Sequence, residues 1–155
     1  MKNAEEMILE KNRAMITIDA SDPVKNALNL MVKHKIGAVL VTEENKIVGI
    51  WTERDLLNNI LNPQFDLQSS RIGDHMTMPV KTARHDTPLL KLKEMFLGLY
   101  IRHIVIEKKG KHIGLLSIGD VLRASLLEQD RQIKELNAIA SWEYYENWGW
   151  HHSKQ

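Results

Sequence analysis

The stretch VGIWTERDLL, Val48 to Leu57, passes from an apolar strand through a Thr and three charges into a new apolar run. A Thr followed three residues later by an acid, just ahead of an apolar run, is the pattern of a helix capping box. The hydroxyl accepts from an orphan backbone N–H, and the acid suits the positive helix end. Thr52 and Asp55 fill those roles, and one such motif is a helix start and nothing more. It occurs twice, however: LLSIGDVL, Leu115 to Leu122, puts Ser117 and Asp120 where Thr52 and Asp55 stand.

Working outward from these two motifs reveals an internal repeat. Displacing the chain by 65 without gaps lays Thr17 on Thr82, Pro23 on Pro88, Ile36 on Ile101, Lys46 on Lys111, Gly49 on Gly114, Asp55 on Asp120 and Leu57 on Leu122. Each copy has the same layout. SDPVKNALNLM offers Ser or Asp as a cap and Pro23 at the first helical position. Val24, Ala27, Leu28 and Met31 then share one helical face. IGAVLV from Ile36 and IVGIW from Ile47 read as strands joined at EENK into a hairpin. TERDLLNNIL opens a further helix that ends near Asn62-Pro63. The second copy runs DTPLLKLKEMF, IRHIVI, KKGK, HIGLL, SIGDVLRASLL.

The fold class expected is α+β: two β-α-β-β-α halves, too small to bury their faces alone, packed on each other with approximate two-fold symmetry. The helix following each strand pair should line the central cleft. The partition is an N-terminal segment 1–14, repeat one 15–61, a polar linker 62–79 with a helical turn at IGDHM, repeat two 80–127, and a C-terminal helix and aromatic tail 128–155.

Composition narrows the function classes. Twenty-one Lys plus Arg against 20 Asp plus Glu leave a net charge of +1, so no global field argues for nucleic acid or an acidic surface. Cysteine is absent, which removes disulfides, thiolate metal sites and Cys nucleophiles, and suits a cytoplasmic protein. No apolar run approaches the roughly 20 residues of a membrane span, and the charged start MKNAEEMILEKNRAM is unlike a signal peptide. The seven histidines are scattered, without helical metal-ligand spacing. His103, Ser117 and Asp120 lack the Gly-rich elbow of a hydrolase nucleophile, so no enzyme activity is expected.

With the repeat in hand, the chain resembles a tandem pair of CBS domains, the regulatory module named after cystathionine β-synthase and found also in IMP dehydrogenases, the γ subunit of AMP-activated kinase and chloride channels. The likeness covers Met15 to Leu126. It rests on the strand-Gly-Ile/Leu-x-Thr/Ser-x-x-Asp pattern, the IGA and IRH turns into the middle strand, and RIGDHMT before the second copy. The resemblance implies a cleft between the repeats that binds adenosine-containing ligands as regulators: AMP, ADP or ATP, with S-adenosylmethionine or NAD(H) as further members of the class, and no required cofactor. By position, Asp55 and Asp120 would hold the ribose, and Thr52 and Ser117 would meet phosphate at a helix N-terminus, with Arg54 adding a phosphate contact in the first copy only. The base would lie near Ile16, Thr17, Gly37 and Ala38 in one site and near Lys81, Thr82, Arg102 and His103 in the other. Since Lys81, Arg84, Arg102 and His103 make the second half the more basic, the Ser117/Asp120 site is expected to take the multiply charged phosphate, and the Thr52/Asp55 site, with Glu53 beside it, to be weaker or empty. Leu40 and Val105 stand where many relatives carry Pro.

The competing function is an interaction scaffold with an empty cleft. Such CBS pairs commonly associate two by two, so a homodimer is expected, with Leu30, Met31, Met95, Phe96 and Leu99 on the contact face. Leu122, Leu126, Gln129, Ile133, Leu136 and Ala140 step by fours and threes, either a seam for a second helix or the face of a helix packing back on its own domain. Trp142, Tyr144, Tyr145, Trp148 and Trp150 crowd the tail, a cluster suited to an interface. A separate regulated protein would receive the signal.

Overall fold

The computed structural model describes the backbone of residues 1–148 and the side chains of residues 1–140. Helix α1 (Ala4–Lys11) comes first. Repeat one follows as β1 (Thr17–Asp19), α2 (Val24–His34), β2 (Ala38–Glu43), β3 (Lys46–Thr52) and α3 (Glu53–Ile60). After a 3-10 turn at Ile72–Asp74, repeat two is β4 (Thr82–Arg84), α4 (Leu89–Leu99), β5 (His103–Lys108), β6 (Lys111–Ser117) and α5 (Ile118–Trp148). Both halves are the expected β-α-β-β-α.

The duplication extends to the register. β1 lies parallel to β2 with Thr17 opposite Leu40, and β4 lies parallel to β5 with Thr82 opposite Val105. A parallel pair needs a crossover, which α2 and α4 supply. Each hairpin is antiparallel, with one irregularity at the same place, Val41/Thr42 and Ile106/Glu107. The two-residue turns carry positive φ at Glu44 and Asn45 and at Lys109 and Gly110, the turn whose twist matches that of paired strands. Leu40 N–H donates to the Ile16 carbonyl (3.0 Å) and Val105 N–H to that of Lys81 (2.9 Å), bonds that a Pro at either position could not make.

Two expectations change. Pro23 and Pro88 are themselves the helix N-caps, without side-chain capping bonds: Ser21 donates instead to Asp19 Oδ1 and stays in a local turn. Met31 and Phe96, expected on a contact face, are 5% and 2% exposed and belong to the core, because they continue the same helical stripes as Val24 and Leu92. Of the two readings left open for the C-terminal helix, packing back on its own domain does not hold along the length of α5. Val121 and Ser125 are buried against the domain, but Leu126, Ile133 and Leu136 remain more than half exposed. The aromatic cluster Trp142, Tyr144, Tyr145, Trp148 and Trp150 lies outside the described side chains.

The core is two clusters, one under each sheet, and each is closed by a segment from outside its repeat. Ile72, from the linker, is fully buried in repeat one; Ala4 and Met7, from the N-terminus, are buried in repeat two. The same hydrogen bonds dock both segments. Val24 N–H donates to the Ser70 carbonyl, Ile72 N–H to that of Asp22 and Gly73 N–H to that of Ala20; in repeat two the corresponding donors and acceptors are Leu89 to Lys2, Ala4 to Thr87 and Glu5 to His85. Side chains follow suit: Met76 fills the space that a side chain at Gly49 would need, and Ile8 does so at Gly114. Residues 70–76 and 2–8 are therefore also copies, offset by 68 rather than 65. The segment preceding each repeat packs on the other one, and this exchange knits the halves together.

Candidate functional site

Both carboxylates stand at helix starts formed directly by the preceding strand. Thr52 is extended (φ −125°, ψ 169°) and caps α3: Asp55 N–H donates to Thr52 Oγ1 (3.3 Å), and Thr52 N–H donates back to Asp55 Oδ2 (2.9 Å). Ser117 and Asp120 make the same pair of bonds at 3.1 and 2.8 Å. In each case one carboxylate oxygen is tied into the cap. What meets the rest of the carboxylate differs. Thr77 Oγ1 donates to Asp55 Oδ1 at 3.0 Å, whereas the Lys11 ammonium donates to Asp120 Oδ2 at 2.7 Å, leaving Oδ1 without a hydrogen bond among the described residues.

Each carboxylate faces the strand ends of the opposite repeat. Thr52, Arg54 and Asp55 look across a cleft of about 290 Å³ onto Val80, Lys81, Ile101, Arg102 and His103. Ser117 and Asp120 look across a second one of about 530 Å³ onto Ile16, Ile36, Gly37 and Ala38, with Lys11 and Arg13 at its edge. Both volumes suit small-molecule sites, which run to roughly 300–1,000 Å³. Gly37, His103 and Ser117 border both, so the clefts share a wall.

This crossing corrects the expected grouping of charges. Lys81 and Arg102 border the Asp55 cleft and not the Asp120 cleft, while Arg84 pairs with Asp86 on the exposed surface. Lys81 and Arg102 of repeat two therefore lie in the cleft that holds the carboxylate of repeat one. Thr17 and Thr82 border neither cleft, because they begin their strands and alternation turns Ile18 and Ala83 inward and their neighbours out. The residues just before them, Ile16 and Lys81, face the clefts instead. Ile16, Gly37, Ala38, Thr52, Arg54, Asp55, Lys81, Arg102, His103, Ser117 and Asp120 all border one cleft or both.

The shared wall has a distinct electrostatic character. Burial pushes the His103 imidazole down to about 4, and the nearby Lys11 charge acts in the same direction against the opposing pull of Asp120. His103 is thus neutral at physiological pH. Burial alone would raise the Asp120 carboxyl, but the Lys11 hydrogen bond and the Ser117 N–H outweigh it and hold the group below the ordinary aspartate range.

Sequence reasoning missed Lys11, Arg13, Thr77 and Tyr100, the last at the mouth of the Asp55 cleft in left-handed conformation (φ 53°). For Lys11 a signal was present. Asn3 and Glu6 have capping-box spacing, and both bonds form, at 3.0 Å each. With Ala4, Met7 and Ile8 at i, i+3 and i+4, a helix ending near Lys11 was readable.

The CBS domain family model matches residues 8–62 and 72–127. Among curated proteins, the chain is 36% identical over 122 residues to the mitochondrial CBS domain-containing protein CBSX3 of Arabidopsis thaliana, covering 76% of this chain and 59% of that protein. It is 33% identical over 105 residues to an uncharacterized 17.7 kDa protein of Acidianus ambivalens, covering 66% and 62%. The chain thus spans about three-fifths of the length of these relatives. Among solved structures, it matches a CBS-domain-containing protein of Agrobacterium tumefaciens at a TM-score of 0.75 and 30% identity, covering 80% of this chain and 99% of that one. It matches CBSX2, solved in complex with AMP, at 0.68 and 26% identity, covering 83% and 99%. Two copies of one strand-helix-hairpin-helix unit, matched over both halves by the same family model, place this chain in the CBS-domain family.

Proposed function

We propose that the chain is a ligand-sensing regulatory module that binds adenosine-containing nucleotides in its two clefts and has no chemistry of its own. The observation that carries this reading is the repeated geometry: a carboxylate fixed at a helix N-terminus, opposite an apolar slot with cations beside it. Asp55 and Asp120 would accept from the paired ribose hydroxyls, since an ionised carboxylate is an acceptor only. Thr52 and Ser117, with the first N–H groups of α3 and α5, would face phosphate. Val80, Pro79 and Ile101 in one cleft, and Ile16, Ile36 and Ala38 in the other, would form the base slots. The AMP complex of CBSX2 supports the ligand class. A thermal-shift panel of AMP, ADP, ATP, S-adenosylmethionine and NADH is the test: at a hundred-fold excess over Kd, binding to the native state alone adds about 2.7 kcal/mol. No shift with any member turns the reading toward a scaffold with empty clefts.

Output would pass through association of two copies. Val32 and Leu97, Leu57 and Leu122, and Leu61 and Leu126 are exposed pairs related by the internal offset of 65, each residue more than half exposed. An apolar set repeated by a pseudo-two-fold suits a second copy bearing the same set, as isologous interfaces do. Sedimentation of Leu57→Glu and Leu122→Glu variants tests it: dimers that become monomers support the interface, and an intact protein that is monomeric at all concentrations ends it.

A further inference from the structure

The Asp120 cleft is bordered by two cations that neither repeat supplies, Lys11 and Arg13, and of these only Lys11 bonds to the carboxylate. Lys11 is the last residue of α1, and its Nζ donates to the Leu115 carbonyl (3.0 Å) and to Asp120 Oδ2 (2.7 Å). The two side chains are only 24% and 21% exposed. The position of this ammonium is set by the docking of its helix. Ala4 and Met7 are in the core of repeat two, Ile8 covers Gly114, and Asn12 ends the helix in left-handed conformation. An ammonium carries three N–H donors. Two are used, and the third has no partner among the described residues. Arg13, bordering the same cleft, makes no hydrogen bond or ion pair among the described residues. In the Asp55 cleft the carboxylate is met by the neutral hydroxyl of Thr77.

We propose that Lys11 is the specificity-determining residue of the Asp120 cleft, its ammonium selecting a nucleoside that carries a phosphate over the same nucleoside without one. The inference rests on the reading of the clefts as nucleoside sites and adds to it the group that discriminates. A ribose needs only the free Oδ1 of Asp120 and gains nothing from Lys11. A phosphate beside it supplies an acceptor for the third N–H, in surroundings where a charge-assisted bond is stronger than in water. The preference expected for this cleft from the basicity of repeat two therefore arises from the N-terminal helix instead.

The experiment is calorimetric titration of adenosine and of AMP into the full chain carrying Asp55→Asn, so that the Asp120 cleft dominates, with Lys11 intact and with Lys11→Met or Lys11→Arg. The expected result is a loss of about ten-fold or more in AMP affinity for Lys11→Met. Adenosine affinity should stay within about two-fold, and Lys11→Arg should retain most of the AMP affinity. Equal losses for both ligands would show that Lys11 only positions α1, and unchanged AMP affinity would show that it is not used; either overturns the proposal. Should Lys11→Met melt well below the parent, Lys11→Gln, which keeps a polar donor without charge, must show the same split. If the Lys11-containing protein binds neither ligand, the nucleoside reading itself fails; if it binds both and the split is missing, only the role of Lys11 fails.

Discussion

The Asp55 and Asp120 clefts are built on identical strand registers and identical capping bonds, yet one carboxylate is met by a hydroxyl from the linker and the other by an ammonium from α1. Duplication fixed the helix starts, because a cap is local and is copied with its helix. The residues that approach each carboxylate from outside stand at the ends of the exchanged segments, which read MILEK (7–11) on one side and HMTMP (75–79) on the other. Scaffold and selectivity are thus supplied by different stretches of chain, and each can change without the other.

The wall shared by the clefts provides the largest expected effect. His103 is neutral in the folded protein with its imidazole near 4, against about 6.5 in the unfolded chain. The unfolded state then binds more protons between these values, so stability falls as pH drops from about 6.5 to about 4, by at most about 3 kcal/mol. Urea midpoints measured across that window should fall, and His103→Gln should flatten the slope. An unchanged slope in the variant would mean that the wall is not what titrates.

Next in size are the carboxylates. Asp55→Asn keeps the shape of the cap and should cost about 1 kcal/mol or less of stability, and Asp120→Asn, which also leaves the largely buried Lys11 ammonium without its counter-charge, should cost more. If the charges hold ribose, nucleotide affinity in the affected cleft should fall by about 1.5–3 kcal/mol. Separate titrations of the two variants would break the comparison if only one lowered affinity, since one cleft would then be unused.

Gly114→Ala and Gly49→Ala probe the exchanged segments themselves. A methyl at Gly114 meets Ile8, a branched side chain fixed on a docked helix; at Gly49 it meets the flexible end of Met76 and, at 3.0 Å, the Thr77 carbonyl. Overpacking of this kind costs about 1–3 kcal/mol. The Gly114 change should stand at the upper end, with loss of AMP binding in the Asp120 cleft as Lys11 withdraws, and the Gly49 change at the lower. The smallest effect is expected from Lys2→Ala, which removes the exposed Lys2–Glu10 pair and should shift the denaturation midpoint by less than about 0.5 kcal/mol.

The repeated elements were legible because their signals are local. Periods of 3.6 and 2, a proline at the starts of α2 and α4, a Thr or Ser with an acid three residues on at those of α3 and α5, and a gapless offset of 65 locate every strand and helix from Thr17 to α5. Which residues share a cleft was not legible. Lys81 and Asp55 belong to different repeats, and nothing in either copy states that the carboxylate of one faces the strand ends of the other. Helix α1 was overlooked for a related reason. Its copy is the segment RIGDHM, which has tightened into a 3-10 turn and sits at a different offset, so a search at 65 passes over it. Met31 and Phe96 were misassigned because an apolar helix in a small domain can spend the same residue on its core or on a partner, and periodicity alone does not separate the two.

The exchanged segments also have a consequence in time. Helix α1 is synthesised before either repeat, but its seat is made by residues from His85 to Val121, in the later of the two repeats. Throughout translation Ala4, Met7 and Ile8 have no surface to cover, whereas the linker segment around Ile72 can close repeat one as soon as it emerges. Repeat one should therefore fold during synthesis and repeat two only once it meets helix α1, a long-range closure of the kind that slows folding. The Asp120 cleft, with Lys11 in place, is then the later of the two clefts to form.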